Sequence, residues 1–275
     1  MTAAQQGPGQ HDVYTHGHHE AVLRSHRWRT AENSADHLLP LLEPHFTLLD
    51  VGCGPGTITV DLARRVAHVV GVDASATVVE AAREAATQAG VTTVAFQVAD
   101  AYRLPFADDS FDVVHAHQVL QHLSDPVAAL REMRRVARPG GYVAVRDSDY
   151  SAMTWYPQVA GLDLWRQTYL AVTRSNHADA DAGRKLAAWV RAAGFDPAGI
   201  TPGAAVWCYA TSEDRRWWSQ LWAERTVASD FAAQAVERGL ATEQQLAQAA
   251  DGWRRWGSDP DGWFAVLHGR VVARA

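Results

Sequence analysis

The feature that most constrains this chain is a glycine-rich turn directly after an apolar run. The segment 48–56 reads LLDVGCGPG, so a strand-like pattern leads into three glycines at alternate positions, Gly52, Gly54 and Gly56. A helix is predicted over 57–66, immediately after them. Glycine lets a ligand lie directly against the backbone, where a side chain would block it. The sequence therefore predicts a ligand site between a buried strand and the helix that follows it.

The spacing of these glycines narrows the kind of ligand. Dinucleotide enzymes seat a pyrophosphate at a helix N-terminus with the pattern GxGxxG, whereas this turn has the pattern GxGxG with Pro55 inside it. A phosphate-binding P-loop is excluded, because no Gly-Lys-Ser/Thr follows the turn. A nicotinamide-dependent oxidoreductase stays open as an alternative that the spacing opposes.

Short β-branched runs alternate with longer helical patterns along the chain. The predicted strands cover 48–51, 69–73, 94–98, 113–116, 142–145, 204–210 and 263–275. Between the fourth and the fifth, Ser124 or Asp125 can cap a helix whose first turn takes Pro126. This alternation indicates a parallel sheet covered by helices, which is an α/β fold.

Composition limits the class of partner. The 275 residues are 47% hydrophobic and 20% charged, which provides enough apolar surface for one large core. The 25 lysines and arginines against 31 acidic residues give a net charge of −6, so no basic field would gather nucleic acid or an anionic membrane. No apolar stretch is long enough to cross a bilayer, and no signal-peptide pattern opens the chain. We therefore predict a cytoplasmic protein with a small-molecule partner.

Neither a redox site nor a metal site is expected. Cys53 and Cys208 belong to no CxxC pair, which argues against a disulfide scaffold and a zinc ribbon. His16, His18 and His19 lie close together, but they do not share one helical face and no carboxylate triad completes a coordination sphere.

The glycine turn and its flanks resemble one family. Residues 50–56 match the D-x-G-x-G-x-G signature of class I methyltransferases in full, and 72–75, 99–101, 111–114 and 138–141 agree with that family after its later strands. The chain is thus similar to small-molecule methyltransferases with a UbiE-like methyltransferase domain, which use S-adenosylmethionine. The resemblance implies a Rossmann-like, doubly wound seven-stranded sheet, mostly parallel with the last strand antiparallel.

That resemblance also implies which residues hold the cofactor. They are Asp50, Gly52, Gly54, Gly56, Asp73, Ala74, Asp100, Ala101, Gln118 and His122. Asp73 ends the second strand, where a carboxylate can accept hydrogen bonds from both ribose hydroxyls. Asp100 would face the adenine amino group, and Gln118 and His122 would lie beside the methionine part. For His122, a packed histidine at a helix start stays open as the alternative.

The segment before the glycine turn is expected to fold over the cofactor. Tyr14 would lie near the sulfonium or the acceptor, and Arg27 or Arg29 would meet the cofactor carboxylate. A solvated face is the alternative for both arginines.

The chain divides into six expected parts. They are an N-terminal helical segment (1–47), the cofactor-binding core (48–149), a cap insertion (150–181), a core helix and strand (182–210), a helical cap insertion (211–260) and a final core strand (261–275). Connections this long are more often functional than slack. The candidate walls of an acceptor site are Trp155, Trp207, Trp217, Trp218 and Trp222, and burial in the core is the alternative for each.

The chemistry expected of such a site is an in-line displacement at the sulfonium methyl, with S-adenosylhomocysteine as the product. Tyr14, His16 and Asp149 are the candidate catalytic residues, with His18, Asp147 and His177 as further candidate bases. The expected acceptor is a thiol of a secondary metabolite. The alternatives are N-, O- or C-methylation of an aromatic metabolite such as an indole or a quinone, and a non-catalytic cofactor-binding regulatory protein.

Overall fold

In the computed structural model, the described residues are 12, 15, 26 and 28–275. Their strands are β1 (Thr47–Val51), β2 (His68–Asp73), β3 (Val94–Val98), β4 (Phe111–His117), β5 (Ala137–Ser148), β6 (Thr154–Tyr156), β7 (Ile200–Tyr209) and β8 (Trp263–Arg274). Their α-helices are α1 (Ala31–Ser34), α2 (Thr57–Ala63), α3 (Ala76–Gln88), α4 (Pro126–Val136), α5 (Ala160–Ser175), α6 (Leu186–Ala192), α7 (Ser212–Ala228), α8 (Asp230–Glu237) and α9 (Glu243–Ser258). Short 3-10 turns cover Leu39–Leu41, Leu120–His122, Gly183–Lys185 and Pro197–Gly199.

The strands form one mixed sheet in the order β3-β2-β1-β4-β5-β8, with β7 on the far side of β8. The first five strands in that order are parallel, and β8 runs antiparallel to both β5 and β7. The predicted Rossmann-like, doubly wound α/β sheet with an antiparallel last strand is confirmed. The strand order reverses between β1 and β4, and a crevice at such a point is where open α/β sheets bind ligands.

Three details differ from the sequence prediction. The helix predicted over 57–66 ends at Ala63, because the chain turns there to enter β2. The sixth predicted strand begins earlier, at Ile200, and includes Pro202. Proline is tolerated there because β7 pairs on one side only. The short strand β6, inside the predicted cap insertion, was not predicted and pairs with the start of β8.

Both long insertions leave the sheet at its carboxyl edge, after β5 and after β7, and fold into a helical cap. The cap consists of β6, α5, α7, α8 and α9, and α7 and α9 each start with a capping box, at Thr211 and Thr242. Its centre is aromatic: the Trp165 ring lies 4.6 Å from that of Trp222 and 4.8 Å from that of Trp253. The predicted helical cap is therefore present, with its own buried core.

Strand β8 connects the cap to the sheet. Its second half pairs with β5 over Tyr142 to Ser148, whereas its first residues pair with β6. The other side of β8 pairs with β7 along almost its whole length. Within the described part of the chain, no helix combines the length and apolarity that a membrane crossing requires.

Candidate active site

A cavity of about 760 Å³ lies at the carboxyl edge of the sheet, between the glycine turn and the cap. Its floor comes from the ends of β1, β2, β3 and β4, and its cover from β7, α7 and the loop after β5. Described residues from the N-terminal segment also line it, among them Asp12, His26, Trp28 and Arg29. The cavity therefore has two halves: a polar, glycine-rich half at the strand ends and an aromatic half under the cap, called the cap half below.

The three glycines of the turn all have positive φ, and two of them, Gly52 and Gly54, show different reasons for a glycine. A Cβ on Gly52 (φ +68°) would lie 2.3 Å from Val119 Cγ2, so the close approach of the loop after β4 requires glycine there. A Cβ on Gly54 (φ +56°) would meet only His26 Nδ1, at 3.9 Å. The backbone at Gly54 is thus open to the cavity, as a ligand lying on it requires.

Asp50 holds the turn from behind. Its side chain is buried and accepts hydrogen bonds from Thr59 Oγ1 at 2.6 Å and from His115 Nδ1 at 2.7 Å. These bonds tie the end of β1 to α2 and to β4. The sequence predicted Asp50 as a cofactor ligand. Asp50 is among the cavity-lining residues, and its two hydrogen bonds also fix the shape of the turn.

Asp73 ends β2 and lines the cavity beside the glycine turn. Its Oδ2 accepts from the Gly54 backbone N–H at 3.1 Å, and its Oδ1 accepts from the Ser75 N–H at 3.0 Å. Two backbone donors therefore orient the carboxylate. Ala74 lies beside it on the cavity wall.

The loop after β3 forms the next part of the wall. Asp100 and Ala101 both line the cavity, and Asp100 Oδ1 accepts from the Tyr102 N–H at 2.9 Å. The Tyr102 hydroxyl donates to Asp12 Oδ2 at 2.6 Å, so the N-terminal segment is attached at this point. Burial, together with the Asp12 carboxylate, raises the pKa of Tyr102 to about 12.

The loop after β4 carries Gln118, whose φ of +55° is unusual for a residue with a side chain. Arg29 Nη2 donates to Gln118 Oε1 at 2.6 Å, and Gln118 Nε2 donates to His268 Nε2 at 2.9 Å. The backbone N–H of Gln118 also donates a hydrogen bond to the Arg146 carbonyl, at 2.7 Å. The structure thus brings together Arg29 and Gln118, which the sequence predicted independently for the methionine end of the cofactor.

His122 also lines the cavity and lies in the 3-10 turn after β4. Burial is the main cause that lowers its pKa to about 3, and the positive charge of Arg29 adds to the effect. The imidazole is therefore neutral at physiological pH, and its Nε2 accepts from Gln121 Nε2 at 3.1 Å.

Among the predicted residues that do not line this cavity are Asp149, Trp155 and Gly56, and a Cβ on Gly56 would lie 2.9 Å from Ala82 of α3. Asp149 is buried against Arg184, with Oδ1 and Oδ2 each 2.5 Å from a guanidinium nitrogen, and it borders a different, small pocket. Trp155 is stacked on Phe264 at 5.6 Å and has the Arg166 guanidinium over its ring at 4.6 Å, within the cap. The side chains of Asp149 and Trp155 are thus engaged outside the cavity.

The other predictions fall in three groups. Trp218 and Trp222 line the cavity, as the acceptor-wall hypothesis requires. Asp147 is buried outside the cavity lining, and His177 is exposed. The predicted residues Tyr14, His16, His18 and Arg27 lie outside the described residues.

Sequence reasoning missed several cavity-lining side chains, among them Trp28, His117, Tyr150 and Tyr209. His117 and Tyr209 are the last residues of β4 and β7, so their place at the ligand-binding edge could have been found from exact strand ends. Trp28 lies in the N-terminal segment that was expected to cover the cofactor, but no motif or spacing in that segment singled it out. Across the described residues, no group of three or more metal-ligating side chains converges.

Comparison with known proteins identifies the fold and the chemistry together. Residues 42–194 match the family described as a methyltransferase domain. An uncharacterized methyltransferase, C1B3.06c of Schizosaccharomyces pombe, is 35% identical over 94% of this chain and 95% of its own length. The probable methyltransferase ltbC of Aspergillus luteorubrus is 30% identical over 96% of this chain and 98% of its own. The crystal structure of the [4+2]-cyclase SpnF superimposes with a TM-score of 0.52 and 27% identity, covering 91% of this chain and 80% of that one.

Proposed function

We propose that this chain, which belongs to the class I S-adenosylmethionine-dependent methyltransferases, transfers the methyl group of S-adenosylmethionine to the thiol of a small secondary metabolite. Methyl transfer to a small molecule, within EC class 2.1.1, follows from the family. The acceptor atom and the type of metabolite are the proposal. The observation that carries it is the burial of four titratable side chains on the cavity wall, His117, His122, Tyr150 and Tyr209.

The residues of the glycine-rich half fit the cofactor. The open backbone at Gly54 and the oriented Asp73 carboxylate suit the ribose end, and the Asp100 loop suits the adenine. Arg29 and Gln118 suit the methionine end, where a guanidinium can pair with a carboxylate. Bound S-adenosylmethionine supplies an electrophilic methyl group on a sulfonium, so the task of the protein is to hold a nucleophile in line with it.

The cap half supports this task by excluding water. Tyr150, Tyr209, Trp218 and Trp222 line it and are almost fully buried. Positioning two reactants in a closed cavity turns a bimolecular step into an effectively unimolecular one. An apolar acceptor body therefore fits this half better than a charged one.

The acid–base character of the described wall favours a thiol. Burial lowers the pKa of His117 and His122, so both imidazoles are weak bases, and it raises the pKa of Tyr150 and Tyr209, so both phenols stay protonated at neutral pH. A thiol has an ordinary pKa of about 8.5, against about 10 for a phenol, and it forms its reactive anion with the least help. Tyr14 and His16 remain proposed catalytic residues outside the described part of the chain.

Calorimetric titration tests the cofactor assignment first. We expect S-adenosylmethionine and S-adenosylhomocysteine to bind, NAD not to bind, and Asp73→Asn to weaken the two adenosyl ligands by at least tenfold, since hydrogen bonds to a charged group contribute about 1.5–3 kcal/mol. Asp251→Asn is the matched control, because Asp251 pairs with Arg254 on the surface, far from the cavity. Binding of NAD in place of the adenosyl ligands would refute the assignment.

Matched acceptors then test the atom. Thiophenol, phenol and aniline share one ring, and the release of S-adenosylhomocysteine reports transfer to each. We expect transfer to thiophenol to exceed the others. If the acceptor ionises without an enzymatic base, the pH at which kcat/KM rises should be higher for 2-phenylethanethiol than for thiophenol, because 2-phenylethanethiol is the less acidic thiol. Faster transfer to phenol or aniline would assign O- or N-methylation instead, and cofactor binding with no transfer to any acceptor would favour a regulatory protein.

A further inference from the structure

Two buried polar side chains at the aromatic half of the cavity, one at the end of β4 and one at the end of β7, have no hydrogen-bond partner among the described residues. His117 and Tyr209 both line the cavity, with exposed fractions of 5% and 1%. Within the described chain, neither ring nitrogen of His117 makes a hydrogen bond. The Tyr209 hydroxyl makes none there either. Buried polar groups are nearly always paired in folded proteins, so orphaned ones on a cavity wall indicate a missing ligand group.

The same wall presents a continuous aromatic surface. The ring of Tyr209 stacks on that of Trp218 with centroids 4.1 Å apart and an interplanar angle of 10°. Trp28 connects this pair to Trp207, at 5.2 Å, and to Trp217, at 5.4 Å. All five rings line the cavity. A flat aromatic ligand gains the most from such a surface, because its ring can stack on or pack edge-on against these side chains.

The charges around His117 and Trp207 are positive. The Arg146 guanidinium lies 4.9 Å from the centre of the Trp207 ring and that of Arg29 lies 5.9 Å from it. The two arginines, after burial, also lower the pKa of His117, which keeps its imidazole neutral with one donor and one acceptor nitrogen. An ammonium group placed here would be repelled by both arginines, although aromatic walls elsewhere attract cations.

We propose that His117 and Tyr209 form a recognition site for the acceptor, and that this site takes an aromatic, non-cationic molecule whose ring carries a hydroxyl or carbonyl oxygen. The oxygen accepts a hydrogen bond from the Tyr209 hydroxyl or the His117 N–H, and a hydroxyl can also donate to the second imidazole nitrogen. The ring lies against the aromatic surface of Trp28, Trp207 and Trp217. This inference rests on the proposed function only in placing the acceptor in the cap half of the cavity.

A binding experiment tests the site without any methyl transfer. The full-length protein is saturated with S-adenosylhomocysteine, and the affinities of three probes of similar size are measured by equilibrium dialysis. The probes are 2-naphthol, 2-methylnaphthalene and 2-naphthylmethylamine, which place a hydroxyl, a methyl or an ammonium-bearing group on the same ring. We expect 2-naphthol to bind about tenfold more tightly than 2-methylnaphthalene, since one hydrogen bond of about 1.4 kcal/mol is worth that factor, and the amine to bind most weakly.

Tyr209→Phe and His117→Leu should each reduce the preference for 2-naphthol over 2-methylnaphthalene to threefold or less. Tyr156→Phe is the matched control, because Tyr156 is exposed and outside the cavity, and it should keep the wild-type preference. Tyr209→Phe should also melt at the wild-type temperature or above, since it removes a hydroxyl that the folded protein leaves unpaired.

Equal binding of the three probes, or an undiminished preference in both variants, would overturn the proposal. A lower melting temperature of Tyr209→Phe would do the same, because it would show that the hydroxyl has a structural partner. Methylation of an atom other than sulfur would refute the proposed function and leave these affinities unchanged.

Discussion

Replacing Asp50 by alanine should destabilise the protein far more than its single lost carboxylate suggests. Asp50 is buried behind the glycine turn and bonds to Thr59 in α2 and to His115 in β4. His115 is fully buried, and its other ring nitrogen has no partner among the described residues. The substitution would therefore leave a complete imidazole without hydrogen bonds inside the sheet.

The size of the effect follows from these contacts. Leaving a buried polar group unpaired costs about 1–3 kcal/mol, and this applies to His115. The Thr59 hydroxyl can turn to a carbonyl one helical turn earlier, so its loss is closer to 1 kcal/mol. Together the two terms predict a loss of about 2–4 kcal/mol in the free energy of unfolding. For a chain of this size that corresponds to a fall in Tm of about 3–7 °C.

Urea unfolding followed by circular dichroism, with a thermal scan beside it, measures this loss. Asp251→Ala is the control, because it removes the same side chain from an exposed pair with Arg254 and should change stability by less than about 1 kcal/mol. A loss of under 1 kcal/mol for Asp50→Ala, equal to that of the control, would refute the reasoning that the carboxylate anchors the turn.

Three further predictions concern the same edge of the sheet. Burial raises the pKa of Asp147 to about 8 from an ordinary value near 4, so its contribution to stability is full below about pH 4 and is lost as the pH rises toward 8. In the Asp147→Asn variant, the free energy of unfolding should therefore change less with pH, and urea titrations from pH 4 to pH 8 measure this. Gly52→Ala should lower stability by about 2 kcal/mol or more beyond Gly90→Ala in parallel thermal melts, because both have positive φ but only Gly52 would also place a Cβ against Val119. Asp149→Asn should reduce stability through its lost pairing with Arg184 while leaving kcat/KM within about twofold, and a hundredfold loss of kcat/KM at unchanged stability would restore Asp149 as a catalytic residue.

The fold could be predicted from the sequence to the extent that local patterns determine it. Strands β1 to β5 follow from short-range signals in the sequence, and so does the start of α4, where Asp125 is the N-cap residue. The short strand β6 gave no such signal, since it exists only because Trp263 and its neighbours on β8 pair with it. Strand pairing between distant segments is a tertiary property, and three residues carry too little periodicity to reveal it.

The site divides in the same way. Gly52 and Gly54 of the turn, Asp73 and Asp100 lie in segments whose position follows from strand ends, and all four line the cavity. Trp155 does not, because the choice between the two faces of a strand depends on what packs there, and Phe264 supplies a stacking partner inside the cap. His117 belongs to the site for a reason that the sequence conceals, namely that β4 extends one residue past its predicted end.

Strand β8 also affects the order in which this chain can fold during synthesis. It comes last among the described strands, and within this set β8 is the neighbour of β5 on that side of the sheet and the one strand that pairs with β7. While the ribosome is still making the cap, β5 and β7 therefore expose unpaired backbone groups, the situation in which nascent chains pair with one another or require a chaperone. The glycine turn can form early, but the cavity it serves is enclosed only after residues 263–274 have emerged.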